Sequence, residues 1–274
     1  MKYPIIIPSR GRANACATIE NIPSKFYDNI WLYVIEAESA AYQATNEILW
    51  NGKVHVICAA PSTVTISEKR ERMVLHITER TGTKKFWMMD DDLKFFRRKN
   101  EWEGDTRLEI LHVMDDHGFD TMFDEIETMM DDPSEHLCAI GISMRQGNNN
   151  LKDVGDRNTR LIRCGLYDAE PFLEATHNRL KFMGDFDVML QMLERGWDNF
   201  VVAKYSQDHG STNAKGGCAV ARTEEVMEEV AHGLAALHPG CVVTKKKANK
   251  TGGLKERTDV TIYWKKARAS YPGF

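Results

Sequence analysis

Short apolar runs alternate with longer amphipathic stretches through the N-terminal part of the chain, and each run stops at a polar or small-residue turn. The first, Tyr3 to Pro8, ends at Ser9-Arg10-Gly11-Arg12, and the second, Ile30 to Ile35, ends at Glu36. The third, Lys53 to Cys58, ends in Ala59-Ala60-Pro61, and the fourth, Lys85 to Met89, leads straight into Asp90-Asp91-Asp92. Runs of this length, bounded by turn residues, predict strands. Between the third and fourth, Thr65 and Glu68 have the spacing of a capping box, which predicts the start of a helix. Its apolar residues Ile66, Met73, Val74 and Ile77 fall on one face and leave Lys69, Arg70 and Arg72 elsewhere. Strands alternating with helices predict an α/β fold with a mainly parallel central sheet flanked by helices. In such sheets ligands bind beyond the carboxyl ends of the strands. Ser9, Arg10, Arg12, Glu36, Asp90, Asp91 and Asp92 all stand at those ends, so one crevice collects them.

Further along, the pattern is less regular. Asp105 to Asp131 reads as one or two acidic helices, Leu137 to Met144 as a strand, and Arg145 to Arg157 as a polar loop. Thr159 to Leu166 predicts another short strand, Asp185 to Arg195 a helix stopped by Gly196, and Phe200 to Ala203 a last core strand. Lys204 to Gly217 and Lys245 to Gly253, rich in Gly, Asn and Lys, read as loops.

Charge changes this picture more than composition does. The 274 residues are 42% hydrophobic and 28% charged, an ordinary globular balance, and the net charge is −4. That charge is uneven. Glu101 to Glu135 holds thirteen carboxylates and one cation, Arg107, whereas Val242 to Phe274 holds nine Lys or Arg against Glu256 and Asp259, or 9 − 2 = +7. Residues 1–241 read as one domain with a change of pattern near residue 100, followed by a basic segment, 242–274. Such a segment fits either a polyanion site or a solvated surface. The six cysteines are scattered, with no metal-finger spacing, and read as reduced thiols. No signal-like or membrane-length apolar run occurs, so the expectation is a soluble, cytoplasmic protein without a membrane partner.

Three consecutive aspartates after a buried strand repel one another, and hard carboxylate oxygens select magnesium, manganese or calcium. Strand alternation would place Asp90 and Asp92 on one side and Asp91 on the other. The competing reading is a solvated acidic turn. Met183-Gly184-Asp185-Phe186-Asp187 precedes a helix, where carboxylates either cap free N–H groups or serve as a general base. His209, in Asp208-His209-Gly210, is a candidate third metal ligand, and Lys215 with Gly216-Gly217 reads as a surface loop or a flap.

An apolar strand followed by Asp-Asp-Asp, closing an N-terminal nucleotide-binding half, resembles the DXD motif of GT-A glycosyltransferases. The resemblance spans roughly residues 3 to 210 and implies the GT-A nucleotide-diphospho-sugar transferase fold. It implies that Asp90 and Asp91 face the nucleotide sugar, with UDP the expected nucleotide. Asp92 and Asp90, with His209, would hold manganese or magnesium. The basic helix is similar to the family's cationic helix, with Arg70 and Arg72 equally eligible to touch the nucleotide. Pro8, Ser9, Arg10 and Arg12 stand in the loop that wraps the nucleobase and ribose, and Glu36 stands where the second strand ends in an acidic residue. Gly184-Asp185 is similar to the xED motif that supplies the general base. Asp185 is the first choice for that role and Asp187 the second. Gly stands where the family has Glu, which leaves inverting and retaining outcomes both open.

The opening from Tyr3 to Arg12, the aspartate triplet with its aromatic strand, and the Asp185-Phe186-Asp187 helix start together resemble the phage glycosyltransferases encoded beside TET/JBP-type pyrimidine dioxygenases. That resemblance implies DNA carrying hydroxymethylated pyrimidine, such as hydroxymethylcytosine, as the acceptor. The basic segment agrees physically, with Lys245, Lys246, Lys247 and Lys250 as candidate phosphate contacts and Tyr263, Trp264 and Tyr271 able to stack on bases. Three alternatives remain at this point. A transferase acting on a glycan, lipid or protein keeps every motif. A nucleotidyltransferase uses similar carboxylates, although no Gly-rich phosphate loop is present. A non-catalytic DNA-binding protein leaves the three aspartates unexplained.

Overall fold

The structure is a computed structural model that describes residues 1–60, 65–98, 111–145, 154–209, 223–248 and 256–271. In chain order its strands are β1 (Ile5–Pro8), β2 (Ile30–Ile35), β3 (His55–Ala60), β4 (Lys85–Met89), β5 (Leu93–Arg98), β6 (Leu111–Val113), β7 (Leu137–Met144), β8 (Gly155–Arg157), β9 (Cys164–Asp168), β10 (Asp198–His209), β11 (Val242–Ala248) and β12 (Glu256–Ile262). The helices are α1 (Ala17–Asn21), α2 (Ser39–Leu49), α3 (Ile66–Thr81), α4 (Asp116–Asp131), α5 (Ala169–Glu174), α6 (Gly184–Glu194), α7 (Glu224–Leu237) and α8 (Trp264–Ala269).

One sheet in the order β3-β2-β1-β4-β9-β7-β10-β5-β6, with β8 also paired to β10, forms the centre. The pairings β3–β2, β2–β1, β1–β4 and β7–β10 are parallel, and only β9, β5 and β8 run against the common direction. The mainly parallel sheet expected from the sequence is therefore present. Its central strands are buried on both faces, as a sheet covered on both sides requires. Ile5, Ile7, Trp87 and Met89 pack into a cluster with Phe119, Phe123 and Ile126 of α4. Ile6, Phe86 and Met88 point the other way, into a cluster with Met73, Val74 and Ile77 of α3 and Val188, Leu190 and Leu193 of α6. Among the described residues no helix is long and apolar enough to cross a membrane.

α3 begins at the capping box anticipated from the sequence. Thr65 Oγ1 accepts the Glu68 N–H at 3.2 Å, and Glu68 Oε2 accepts the Thr65 N–H at 2.8 Å. Gly82, in the left-handed conformation with φ 69°, ends it. Several expectations need correcting: Leu111–Val113 and Gly155–Arg157 are short strands where the sequence predicts a helix and a loop. Lys204 to His209 continues β10, pinned on both sides by β7 and β5, and is not loop. Lys245 to Ala248 belongs to β11, an antiparallel hairpin with β12 that packs on α7. The strand expected over Thr159 to Leu166 lies at Cys164–Asp168, because Arg163 adopts a left-handed φ of 66° and Leu161 drops into the sheet. A Cβ on Gly141 would lie 2.5 Å from Leu161 Cγ, so two bare glycines, Gly141 and Gly165, make room for that side chain. In the acidic region, α4 occupies Asp116–Asp131, and residues 101–110 lie outside the described residues.

α3 and α6 cross with almost no gap. A Cβ on Gly184 would fall 1.7 Å from Ser67 Oγ, a distance no side chain tolerates. Glycine therefore stands before Asp185 because Ser67 fills the space a side chain would need. This contact sets the basic helix α3 against the start of α6.

Candidate active site

The three aspartates occupy a tight turn between β4 and β5 rather than an extended strand end. Thr18 of α1 fixes that turn from below: its Oγ1 donates to the Asp90 carbonyl at 2.5 Å and accepts the Leu93 N–H at 2.9 Å, and its own N–H reaches the Asp91 carbonyl at 3.2 Å. The alternation expected from strand geometry accordingly fails. Asp91 and Asp92 share a cation, Arg12, which pairs with Asp91 and lies 3.3 Å from Asp92. Asp90 turns instead toward α3, where Arg70 Nη2 donates to it at 2.8 Å.

Around Asp91 the β1 loop forms a closed network. Ser9 Oγ donates to Asp91 at 2.5 Å and accepts from Tyr42 Oη at 2.7 Å, and the Arg12 N–H donates to the same Tyr42 oxygen at 3.0 Å. Lys69 Nζ reaches the Ser9 carbonyl at 3.0 Å. Pro8 is buried at the end of β1, and Arg10 is exposed beyond it. Glu36 is exposed; its neighbour Glu38 accepts the Gly11 N–H at 2.7 Å and is the acid that ties β2 to this loop. Of the two eligible arginines, Arg70 enters the site and Arg72 points to solvent, because positions two apart on a helix face different ways.

Burial raises the carboxyl of Asp90 above the usual aspartate range, with Arg70 pulling it back and Asp92 pushing it up again. Burial likewise raises Asp91, against the hydrogen bond from Ser9 and the charge of Arg12. The Arg70 guanidinium is held charged despite its burial by Asp90 and Asp185, so it stands between the aspartate turn and the start of α6. Arg70 Nε is buried with no hydrogen-bond partner. Arg163, just before β9, acts on Asp90, and its carbonyl accepts the Asp90 N–H at 2.8 Å. A non-glycine residue held at φ 66° beside these groups is strained backbone of the kind that gathers at functional sites.

On α6 the two candidate bases separate. Asp185 is exposed. Asp187, two residues on, is 1% exposed and built into the interior. It pairs with Arg179 through two guanidinium nitrogens, with His238 Nε2 at 2.8 Å and with Gln191 Nε2 at 3.2 Å. Both carboxylate oxygens of Asp187 are engaged within the fold, whereas Asp185 is open to solvent at the helix start.

The turn suits a divalent ion. Asp90 and Asp92 offer hard oxygens and are open to solvent on one side, with side-chain exposures of 30% and 27%, whereas Asp91 is sealed at 9%. Small hard cations are held by one or two carboxylates together with substrate phosphates and water. His209 lies opposite Leu93 in the β10–β5 ladder, one residue beyond Asp92. Among the described residues no group of three His, Cys, Asp or Glu side chains is arranged to hold a metal.

The basic segment is also more ordered than a tail. Arg268 is buried and donates to Asp198 at 2.8 Å, and Lys265 pairs with Asp156 at 2.9 Å. On β11, Lys246 reaches Glu228 of α7 at 2.8 Å, whereas Lys245 and Lys247 face outward on the opposite side of the hairpin. Lys250, Lys215, Gly216 and Gly217 lie outside the described residues. Sequence reading missed Thr18, Tyr42, Glu38 and Arg163. Thr18 and Tyr42 are ordinary helix residues whose role exists only once β1 and β4 are adjacent.

Among solved structures the fold is similar to that of a mannosyltransferase from Pyrobaculum calidifontis, solved in complex with GDP-Man and Mn2+, with TM-score 0.50, 9% identity and coverage of 87% of this chain and 70% of that one. It is also similar to glucosyl-3-phosphoglycerate synthase from Mycobacterium tuberculosis, with TM-score 0.48, 11% identity and coverage of 93% and 88%. No curated protein matches the chain. The fold is that of the GT-A glycosyltransferases. The TET-associated glycosyltransferase family matches residues 3–217, and the chain belongs to that family. The protein is a glycosyltransferase.

Proposed function

We propose that the enzyme transfers a sugar from a nucleotide-sugar donor, with UDP as the expected nucleotide, to the hydroxymethyl group of a modified pyrimidine in DNA. The observation that carries the transfer reading is the line from Asp90 through Arg70 to Asp185, which sets a cation-binding aspartate turn and an exposed carboxylate on the two sides of one guanidinium. Ser9 and Arg12, held in place by the sealed Asp91, face the nucleoside end of the donor. Asp92 and Asp90 would hold manganese or magnesium, which supplies positive charge to the leaving diphosphate. Arg70 stabilises the same developing charge from the protein side. Asp185 accepts the proton of the acceptor hydroxyl as its oxygen bonds to the anomeric carbon and the bond to the diphosphate breaks. The Mn2+ and GDP-Man of the Pyrobaculum enzyme support the metal and donor class.

The DNA acceptor is supported by the family's association with TET enzymes, which its description states, and by the outward Lys245 and Lys247. The test is incubation with a panel of nucleotide sugars and manganese, with unmodified DNA, hydroxymethylcytosine DNA, hydroxymethyluracil DNA or no acceptor. Sugar appearing on a hydroxymethylated base upholds the reading. Nucleotide release that no DNA accelerates removes the DNA acceptor and favours a glycan, lipid or protein.

A further inference from the structure

Arg160 has no role in the donor site, yet it is held in a fixed place. Its guanidinium carbon lies 4.8 Å from the centroid of Phe186, the residue immediately after Asp185. Phe186 is itself fixed edge-on against Trp264 at 5.7 Å, where α8 begins and the C-terminal hairpin ends. Stacking on a ring orients the guanidinium plane without using its N–H groups. Among the described residues no acceptor takes a hydrogen bond from Arg160, although the residue is exposed and stacks on the ring that directly follows Asp185, the proposed base.

Charges alternate outward from the donor turn. Asp90 pairs with Arg70, and Arg70 also feels Asp185. Burial weighs most against the Arg160 charge, Asp185 and Asp259 of β12 favour it, and Arg163 opposes it. Asp259 stands opposite Lys245 in the hairpin and 3.6 Å from Lys247 Nζ. Strand alternation puts Lys245, Lys247 and Asp259 on one hairpin face, while Lys246 and Thr258 meet Glu228 on the other. Arg160 is thus the cation that joins the exposed hairpin face to Asp185. Arg70 and Arg12 serve the donor end, so an anion at Arg160 arrives with the acceptor.

We propose that Arg160 binds the backbone phosphate next to the nucleotide being glycosylated, and that the acceptor strand continues from there over the Lys245 and Lys247 face of the hairpin. This rests on the DNA reading above. A planar guanidinium matches a phosphate bidentately, and fixing that phosphate sets the reach of the adjacent base toward Asp185.

The experiment uses the full chain and a short fluorescent single strand carrying one 5-hydroxymethylcytosine. Versions of the strand carry a neutral methylphosphonate at the linkage on one side or the other of that nucleotide. For the parent enzyme, neutralising one of the two linkages should weaken binding about tenfold, as for a lost charge-assisted hydrogen bond. Arg160→Gln should show the same loss with the charged strand, no further loss with the neutral linkage, and a salt slope lower by about 0.7. Its affinity for the donor nucleotide should match the parent's. If the two losses multiply, Arg160 does not hold that phosphate. If Arg160→Gln loses donor-nucleotide affinity instead, it is a donor clamp and the proposal is overturned. If the parent neither binds nor glycosylates any of the strands, the DNA reading fails first.

Discussion

The turn after β4 and the interior side of α6 both set buried aspartate against arginine, and they settle opposite ways. At Asp187, burial raises the carboxyl but hydrogen bonds from His238 and Arg179 outweigh it, and the group ends below the usual range. At Asp90 and Asp91, burial outweighs Arg70, Ser9 and Arg12, and both groups end above it. The first carboxylate is compensated within the fold, and the others are left short of positive charge. A fully paired aspartate holds helices together, whereas an under-compensated cluster leaves room for the added cation of the proposed donor site.

The sharpest way to break this contrast is to exchange the roles of the two aspartates on α6. Asp185→Asn keeps the shape but accepts no proton, so turnover should fall roughly 10²–10⁴-fold while donor binding and unfolding stay near the parent's. An unchanged rate would return the base role to another group.

Asp187→Ala should do the reverse. It leaves the half-buried Arg179 and the buried His238 without this partner, which costs about 3–5 kcal/mol in urea unfolding. The same network predicts a pH dependence. Burial lowers His238, but Asp187 and Glu194 outweigh it and hold the imidazolium above its ordinary value. Its contribution is complete below the unfolded histidine value and is lost as pH rises through the raised folded one. Asp187's contribution is complete above the unfolded aspartate value and is lost as pH falls through its lowered folded one. Stability measured across pH should therefore be highest between the ordinary aspartate and histidine values, and Asp187→Asn should flatten its acid side.

A smaller effect is expected at the crossing that joins the two regions. Gly184→Ala drives a methyl group into Ser67, so α3 and α6 must separate, at about 1–3 kcal/mol of stability. Since Arg70 and Asp185 ride on those helices, turnover should drop too. The double variant Gly184→Ala with Ser67→Gly should recover both, and failure to recover would mean the crossing does not set the site.

Much of the frame was legible along the chain because its cause is local. The capping box of α3, the four N-terminal strands and the acidic stop after β4 each depend on a few adjacent residues. Long-range pairing was not legible. Lys204 to His209 and Lys245 to Ala248 look like polar loops, and only the β5, β7 and β12 partners make them strands. The same holds at the site. Asp90 to Asp92 and Asp185 stood out as candidates by type and order, but that Arg70 rather than Arg72 turns toward Asp90 needed the helix's final facing. The fate of Asp187 needed His238, fifty-one residues away in sequence.

The central claim is that the Asp90 to Asp92 turn binds the donor through a divalent ion. Calorimetric titration of UDP and of GDP into the enzyme, with manganese and then with excess chelator, tests it most directly when repeated on Asp92→Ala. One nucleotide should bind with manganese, lose that binding in chelator, and bind weakly to Asp92→Ala in either condition, while the variant unfolds no earlier than the parent. Equal affinity in chelator, or an Asp92→Ala enzyme that binds as the parent does, would contradict the account.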